Sequence, residues 1–380
     1  MHKKILITST DVMFWLFLLP HAKNLIENGY EVVVACIRAE SFASEDYIDK
    51  IRCELPEAKV YPIVGSRSPL SKSNILGLKQ VRHLIISQKV DIIWCNEPVV
   101  GIISRIASFL TFGHTKVVYF AHGLHFFAGG PLKNWCLFPI EWVAALLTDL
   151  VVLINQRDYM LAKKFFPVKS VYIPGIGFNI SKFTDVNINR AYERQKLGID
   201  DNDFLMLAVG ELNDNKNHIL ILRALKKIDN KQIKLLICGV GDNYQHLIEF
   251  VSSNNMEDQV YLLGLRNDVD MLMNCADVFV HPSFREGLGI APLEAMASGL
   301  PIITSDRHGL RDFSVDGVTG YIIDDLRDPS QLASIILKSM LSKRSLSKIG
   351  FNNKNRVEMF GLDSVKLKVL KIFDKIGGKK

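Results

Sequence analysis

HPSFREGLGIAPLEAMASGLPIITSD, residues 281–306, is the stretch that decides the fold. The run Asp277-Val278-Phe279-Val280 leads into it as a strand, and a loop rich in Pro, Ser and Gly follows. A short helical segment then stops at Gly299 with Pro301 just beyond, a helix-ending pattern. Ile302-Ile303-Thr304 reads as the next strand. The acidic groups of this strand–loop–helix–strand unit belong to the carboxyl end of its first strand, where open α/β sheets bind ligands. Glu286 and Glu294 have seven residues between them. Taken along a helix, that spacing separates the carboxylates by about 12 Å. They then cannot share one metal or one reacting atom, and they stand wider than the ~5–9.5 Å of glycosidase pairs. The spacing suits a long ligand held at both ends, such as a sugar nucleotide. The N–H groups of Gly287, Leu288, Gly289 and Ile290 are expected to face a diphosphate at the helix N-terminus. The alternative is an ordinary loop with two surface acids.

Working outward, short Val/Ile-rich runs alternate with helical patterns along the whole chain, which argues for parallel sheets flanked by helices. Strands are expected at 4–9, 31–36, 59–63, 91–95, 116–120, 149–153 and 170–173. The plan repeats at 204–209, 234–238, 259–263, 277–280, 301–304 and 320–323. A chain of 380 residues suits two domains. We place them at 1–178 and 179–357, joined near 174–189, with a final helix in 358–380. Neither half carries G-x-G-x-x-G, which disfavours a nicotinamide-dependent dehydrogenase. Gly239-Val240-Gly241 is either a tight strand-to-helix turn or a phosphate contact.

Composition narrows the class. Apolar residues make up 48% of the chain, ample for two cores, yet no run reaches the ~18 residues of a spanning helix. The first 19 residues mimic a signal peptide, but polar Thr8 to Asp11 interrupt them, so we expect a strand and a helix there. The six cysteines are scattered, with no C-x-x-C, and read as buried small hydrophobes in a reducing compartment. The net charge is +6, of which +5 falls in residues 1–178. A basic, aromatic first half either suits an anionic lipid surface or merely solvates its domain. No dense Lys/Arg stripe or binding motif points to nucleic acid. Asp-x-Asp spacings occur at Asp201/Asp203 and Asp268/Asp270, but neither falls in the 210–216 or 281–294 segments proposed to meet the diphosphate, and no metal is expected.

The E-x7-E spacing after Pro282-Ser283, followed by LEAMASGLPIITSD, resembles the retaining glycosyltransferases of family 4. The segments FLLPHAKNLIENGYEVVVA, FAHGLHFFAGGPLKNW and LINQRDYMLA resemble the bacterial exopolysaccharide, capsule and O-antigen members. The likeness covers nearly the whole chain. It implies the GT-B fold: two Rossmann-like domains facing a cleft, the first for the acceptor and the second for the nucleotide sugar. In that fold the C-terminal helix crosses back to the N-terminal domain. It also implies transfer of a hexose or N-acetylhexosamine from a UDP-sugar to a polyprenyl-diphosphate-linked saccharide. That reaction runs at the inner face of a bacterial plasma membrane, so a cytoplasmic, peripheral protein is expected.

Residue by residue, the resemblance makes Lys216 the diphosphate-binding lysine, beside Gly210, whose lack of a side chain admits a ligand. Glu294 binds the ribose hydroxyls, and Glu286 contacts the transferring sugar and stabilises charge at its anomeric carbon. Leu288, Gly289 and Ile290 supply backbone amides, and Leu265 and Arg266 match the base-reading loop. His122 matches the family's cleft histidine, with a structural role as its alternative. Asp11 and His125 are acceptor-side candidates. Phe126, Phe127 and Trp135 either line an acceptor groove or pack a core. The family usually carries Arg directly after the glycine, where this chain has Glu211. Arg285 or Asn217 are the residues considered as compensation. Besides a transferase, a GT-B-like sugar-nucleotide epimerase or hydrolase is possible, as is a binding scaffold left inactive by Glu211.

Overall fold

The structure, a computed structural model, describes residues 3–378 other than 11–13, 38–42, 128–131 and 185. The chain forms two compact units. Unit 1 comprises 1–177 and 362–380, and unit 2 comprises 178–361. The divisions fall one residue before the expected first boundary and four after the second.

Unit 1 is built on a seven-stranded parallel sheet of order β3-β2-β1-β4-β5-β6-β7. The strands are β1 Lys4–Ser9, β2 Glu31–Ile37, β3 Lys59–Ile63, β4 Ile92–Asn96, β5 Lys116–Ala121, β6 Leu150–Leu153 and β7 Ser170–Tyr172. Its central strands are near-continuous Val/Ile runs because helices cover both faces, as in β4, where every residue is buried. The last helix, Leu362–Gly377, belongs to this unit. It buries Val365, Val369, Ile372 and Phe373, one stripe at helical spacing. The Phe373 ring lies 5.2 Å from Trp94 and 6.3 Å from Phe120. Tyr30 donates to Asp374 at 2.8 Å. The helix therefore completes a core that the N-terminal residues leave open.

Unit 2 repeats the plan with six parallel strands of order β10-β9-β8-β11-β12-β13. These are β8 Phe204–Val209, β9 Ile233–Cys238, β10 Val260–Gly264, β11 Val278–His281, β12 Ile302–Ser305 and β13 Gly320–Ile323. Each sheet reverses its strand order at one point, between β1 and β4 in unit 1 and between β8 and β11 in unit 2. Crevices open at such points at the carboxyl edge of a parallel sheet.

Four cysteines, Cys36, Cys95, Cys238 and Cys275, are buried as expected, but Cys53 and Cys136 are exposed; all six are free thiols. Among the described residues, no helix is long and apolar enough to cross a membrane.

Candidate active site

Unit 2 brings its predicted residues together at the β8/β11 reversal. The loop after β8 carries Gly210 and Lys216, and the loop after β11 carries Glu286. Two hydrogen bonds stitch these loops: Phe284 N–H to the Asn215 carbonyl and Asn215 Nδ2 to the Arg285 carbonyl, both at 2.8 Å. Across this join the Lys216 Nζ lies 2.5 Å from Glu286 Oε1. A Cβ on Gly210 would sit 3.5 Å from the Lys216 Cδ and Cε atoms, so the glycine gives the lysine chain room to lie over the strand end. Lys216 precedes its helix, His218–Ile228, rather than starting it, because Asn217 takes a left-handed φ of 56°.

Glu286 is nearly buried, and its Oε1 also accepts from His281 Nε2 at 2.9 Å. Ser283 Oγ lies 3.0 Å from the same nitrogen. Burial works to raise this carboxyl, but the hydrogen bond from His281 and the charge of Lys216 prevail and hold it down at about 2. Glu286 is therefore a carboxylate throughout the physiological range. His281 and Ser283 were not foreseen. The only hint in the sequence is that His281 ends a strand directly before the Pro-Ser pair.

One expectation fails. Glu286 and Glu294 do not share a helix, since the helix spans Ile290–Ala297 and carries only Glu294. Gly289 blocks the extension: its φ is +96°, and an added Cβ would lie 2.8 Å from Leu310 Cδ2. The helical rise therefore does not set the distance between the two carboxylates. The N–H groups of Leu288, Gly289 and Ile290 donate to no group among the described residues. Glu294 is half-buried, and its carboxylate likewise has no hydrogen-bond partner among the described residues. Burial, reinforced by Asp270 against the pull of Lys182, raises it to about 7.

Leu265 and Arg266 follow β10 on the same carboxyl edge. Leu265 is exposed, and Arg266 is paired with Asp268. Glu211 is exposed. Asn217 is excluded as its substitute cation-side partner, because its Nδ2 is spent on the Leu326 carbonyl at 3.0 Å. Arg285 remains beside Glu286. The Gly239-Val240-Gly241 turn is tightly packed: a Cβ on Gly239 would meet the Gly210 carbonyl at 1.9 Å, and one on Gly241 the Leu212 carbonyl at 2.5 Å. Among the described residues no three His, Cys, Asp or Glu side chains group as metal ligands.

Unit 1 forms its own constellation at the β1/β4 reversal. His122 follows β5, and its Nε2 lies 3.0 Å from Asn96 Oδ1. Asn96 Nδ2 donates to the Thr8 carbonyl at 3.2 Å, which fixes Oδ1 as the acceptor. His122 therefore carries its proton on Nε2 and presents Nδ1 as a lone pair. Burial, with a smaller effect of His21, lowers the imidazole to about 3, so it is neutral and weakly basic. Phe14 packs edge-on against it at 4.5 Å. Glu97, also unforeseen, accepts the Thr10 N–H at 2.7 Å. His125 is exposed, Phe126 is core, and Trp135 is partly exposed. Asp11 lies outside the described residues.

Comparison with known proteins identifies the family. Residues 189–356 match the model "Glycosyl transferases group 1", and residues 4–155 match "Glycosyl transferase 4-like". EpsD of Bacillus subtilis, itself named as a glycosyltransferase, is 35% identical over 335 residues, covering 85% of this chain and 84% of that one. The UDP-Gal:α-D-GlcNAc-diphosphoundecaprenol α-1,3-galactosyltransferase of Escherichia coli is 30% identical over 84% of this chain and 85% of its own. The crystal structure of Anabaena HepE in complex with UDP and glucose superposes with a TM-score of 0.81 over 98% of this chain and 100% of that one, at 19% identity. With its two parallel-sheet units and these relatives, the chain belongs to the group 1 glycosyltransferases of the GT-B fold.

Proposed function

We propose that this enzyme is a retaining transferase that moves a hexose or N-acetylhexosamine from a UDP-sugar to a polyprenyl-diphosphate-linked saccharide. The observation that carries the reading is the convergence of Lys216, Glu286 and the unpartnered amides of 288–290 at one sheet reversal. Lys216 and those amides receive the diphosphate. Glu286, held ionised, faces the positive charge that develops at the anomeric carbon. Glu294, with both oxygens unspent, accepts the ribose hydroxyls. The acceptor belongs to unit 1; the name of the E. coli relative specifies a diphosphoundecaprenol-linked acceptor. His122 is too weak a base to deprotonate an alcohol, so its Nδ1 orients the acceptor hydroxyl. The acceptor oxygen bonds to the anomeric carbon on the face from which the diphosphate departs. The bond to the diphosphate oxygen breaks, and that oxygen takes the acceptor proton.

The reading is tested by UDP binding as a function of pH. A carboxyl raised to about 7 from its usual 4.5 adds stability below the lower value and loses it as pH rises through the upper. UDP, which needs the ionised form, opposes that loss. The rise in melting temperature caused by UDP should therefore be larger at pH 8 than at pH 6. In Glu294→Gln it should be smaller and flat across that range. A wild-type profile as flat as that of the variant would remove Glu294 from the nucleotide site.

The charge on the leaving group is met without a metal in this account, by Lys216 and backbone amides. Transfer should accordingly persist in excess EDTA. Loss on chelation with recovery on adding Mg2+ or Mn2+ would contradict it.

We also place the enzyme on the anionic inner face of the membrane. Helix Leu137–Ala145 is inverted: it buries Glu141 against Arg105 and exposes Ile140, Trp142 and Val143. The neighbouring Phe165 is exposed as well, with Lys164 over its ring at 5.1 Å. Apolar and aromatic side chains beside lysines suit a headgroup boundary. Liposomes containing phosphatidylglycerol should retain the protein at low salt and release most of it at 0.5 M NaCl, the concentration on the order of which screening falls within a few Å. Equal recovery with neutral liposomes would count against the placement.

A further inference from the structure

Unit 1 holds a cavity of about 680 Å³ at the carboxyl ends of β4 and β5, within the size range of small-molecule sites. Val99 and Ile102 of helix Pro98–Phe109 form one wall, and Leu137 and Ile140 of helix Leu137–Ala145 form another. Leu124 and Phe126 close it from the loop after β5. Two carboxylates line it and both are engaged: Glu141 is neutralised by Arg105 at 3.1 Å, with both buried, and Glu97 accepts the Thr10 N–H. At the rim, Arg67 and His125 are exposed. Arg67 there also acts on Glu97, whose carboxylate holds the Thr10 N–H. Glu97 takes a φ of 62°, a strained backbone conformation for a residue with a side chain.

The lining selects its occupant. A sugar ring placed inside would lose water from several hydroxyls against apolar walls, and each one left unsatisfied opposes binding. An apolar chain meets no such cost. Two wall residues already stand open to solvent, Leu70 at 93% and Ile140 at 50% exposure. Gly123, the chain neighbour of His122, lines the cavity.

We propose that this cavity takes the isoprenoid chain of the lipid-linked acceptor, with its phosphate at the Arg67–His125 rim. The proposal rests on the reading of unit 1 as the acceptor side. It makes the lipid itself, and not only the saccharide, a determinant of acceptor choice.

Farnesyl phosphate, kept below its micellar concentration, is the probe, titrated calorimetrically into the full chain beside inorganic phosphate. Farnesyl phosphate should bind saturably at one site per chain, and inorganic phosphate at the same concentration should not. Ile102→Trp fills the cavity and should weaken binding at least tenfold. Ile140→Glu puts a charge on the exposed lip without entering the core, and should do the same if the first variant fails to fold. UDP binding, measured in parallel, should be unchanged in both variants. Absence of saturable binding, equal binding of inorganic phosphate, or wild-type affinity in a folded variant would overturn the proposal. A wild-type chain that binds farnesyl phosphate but no UDP would refute the donor reading and leave the cavity assignment standing.

Discussion

Replacing Glu286 with Ala should lower turnover at least ~100-fold while UDP binds as well as before or more tightly. Losing one preorganised electrostatic group at a transition state costs about 10²–10³ in rate. Glu286 fits that description because it is fixed in advance: His281 and Lys216 both hold Oε1, and the group stays ionised. The same contact explains the opposite effect on UDP. In the free enzyme Lys216 is occupied by Glu286, so removal of the carboxylate leaves the lysine wholly to the diphosphate. Glu286→Gln should be nearly as slow as the alanine variant, since it keeps the shape and loses the charge. UDP titration and single-turnover transfer separate the two quantities. Parallel loss of UDP affinity and turnover would place Glu286 in the nucleotide site instead.

Lys216→Ala should be the more damaging change, lowering UDP affinity about tenfold and transfer by ~100-fold or more. The lysine neutralises charge on the bound diphosphate, and that charge grows as the bond breaks. Its removal also leaves Glu286 as an uncompensated carboxylate facing an anionic ligand. Removing one member of a fully buried pair costs about 3–5 kcal/mol. Lys216 is 20% exposed, so a smaller fall in stability is expected here. Lys216→Met retains the packing over Gly210 and should recover stability without recovering activity. The two sites are in contact, so their effects should not add. The double variant, relieved of the stranded carboxylate, should bind UDP better than Lys216→Ala alone. Full additivity would show that the pair does not act as a unit.

The central strands were legible because a strand covered on both faces is apolar along most of its length, as in the run Val32-Val33-Val34. The return of the final helix to unit 1 is where its apolar stripe finds Trp94 and Phe120, partners distant in sequence. The residue types at the site could be read from the spacing of Glu286 and Glu294, but their shared helix could not. That helix is cut short at Gly289, whose positive φ and close approach to Leu310, a neighbour only in the fold, admit no side chain. His281, Asn96 and Glu97 escaped notice for a related reason. Each stands where a strand ends; Asn96 and Glu97 act through groups brought in by other loops, and His281 through a carboxylate that its own loop folds back onto it. Glu211 was noticed as a departure, and its exposed position gives no structural account of why Arg is absent.

The central claim is tested most directly by UDP release from a panel of UDP-sugars, with and without polyprenyl-diphosphate-linked saccharides extracted from bacterial membranes. The account predicts that one donor releases UDP only when the lipid acceptor is present. The product should keep the anomeric configuration of the donor sugar by NMR. UDP release that ignores the acceptor would instead identify a hydrolase or epimerase. Tight UDP binding with no release from any donor would identify a scaffold. Either result would contradict the account.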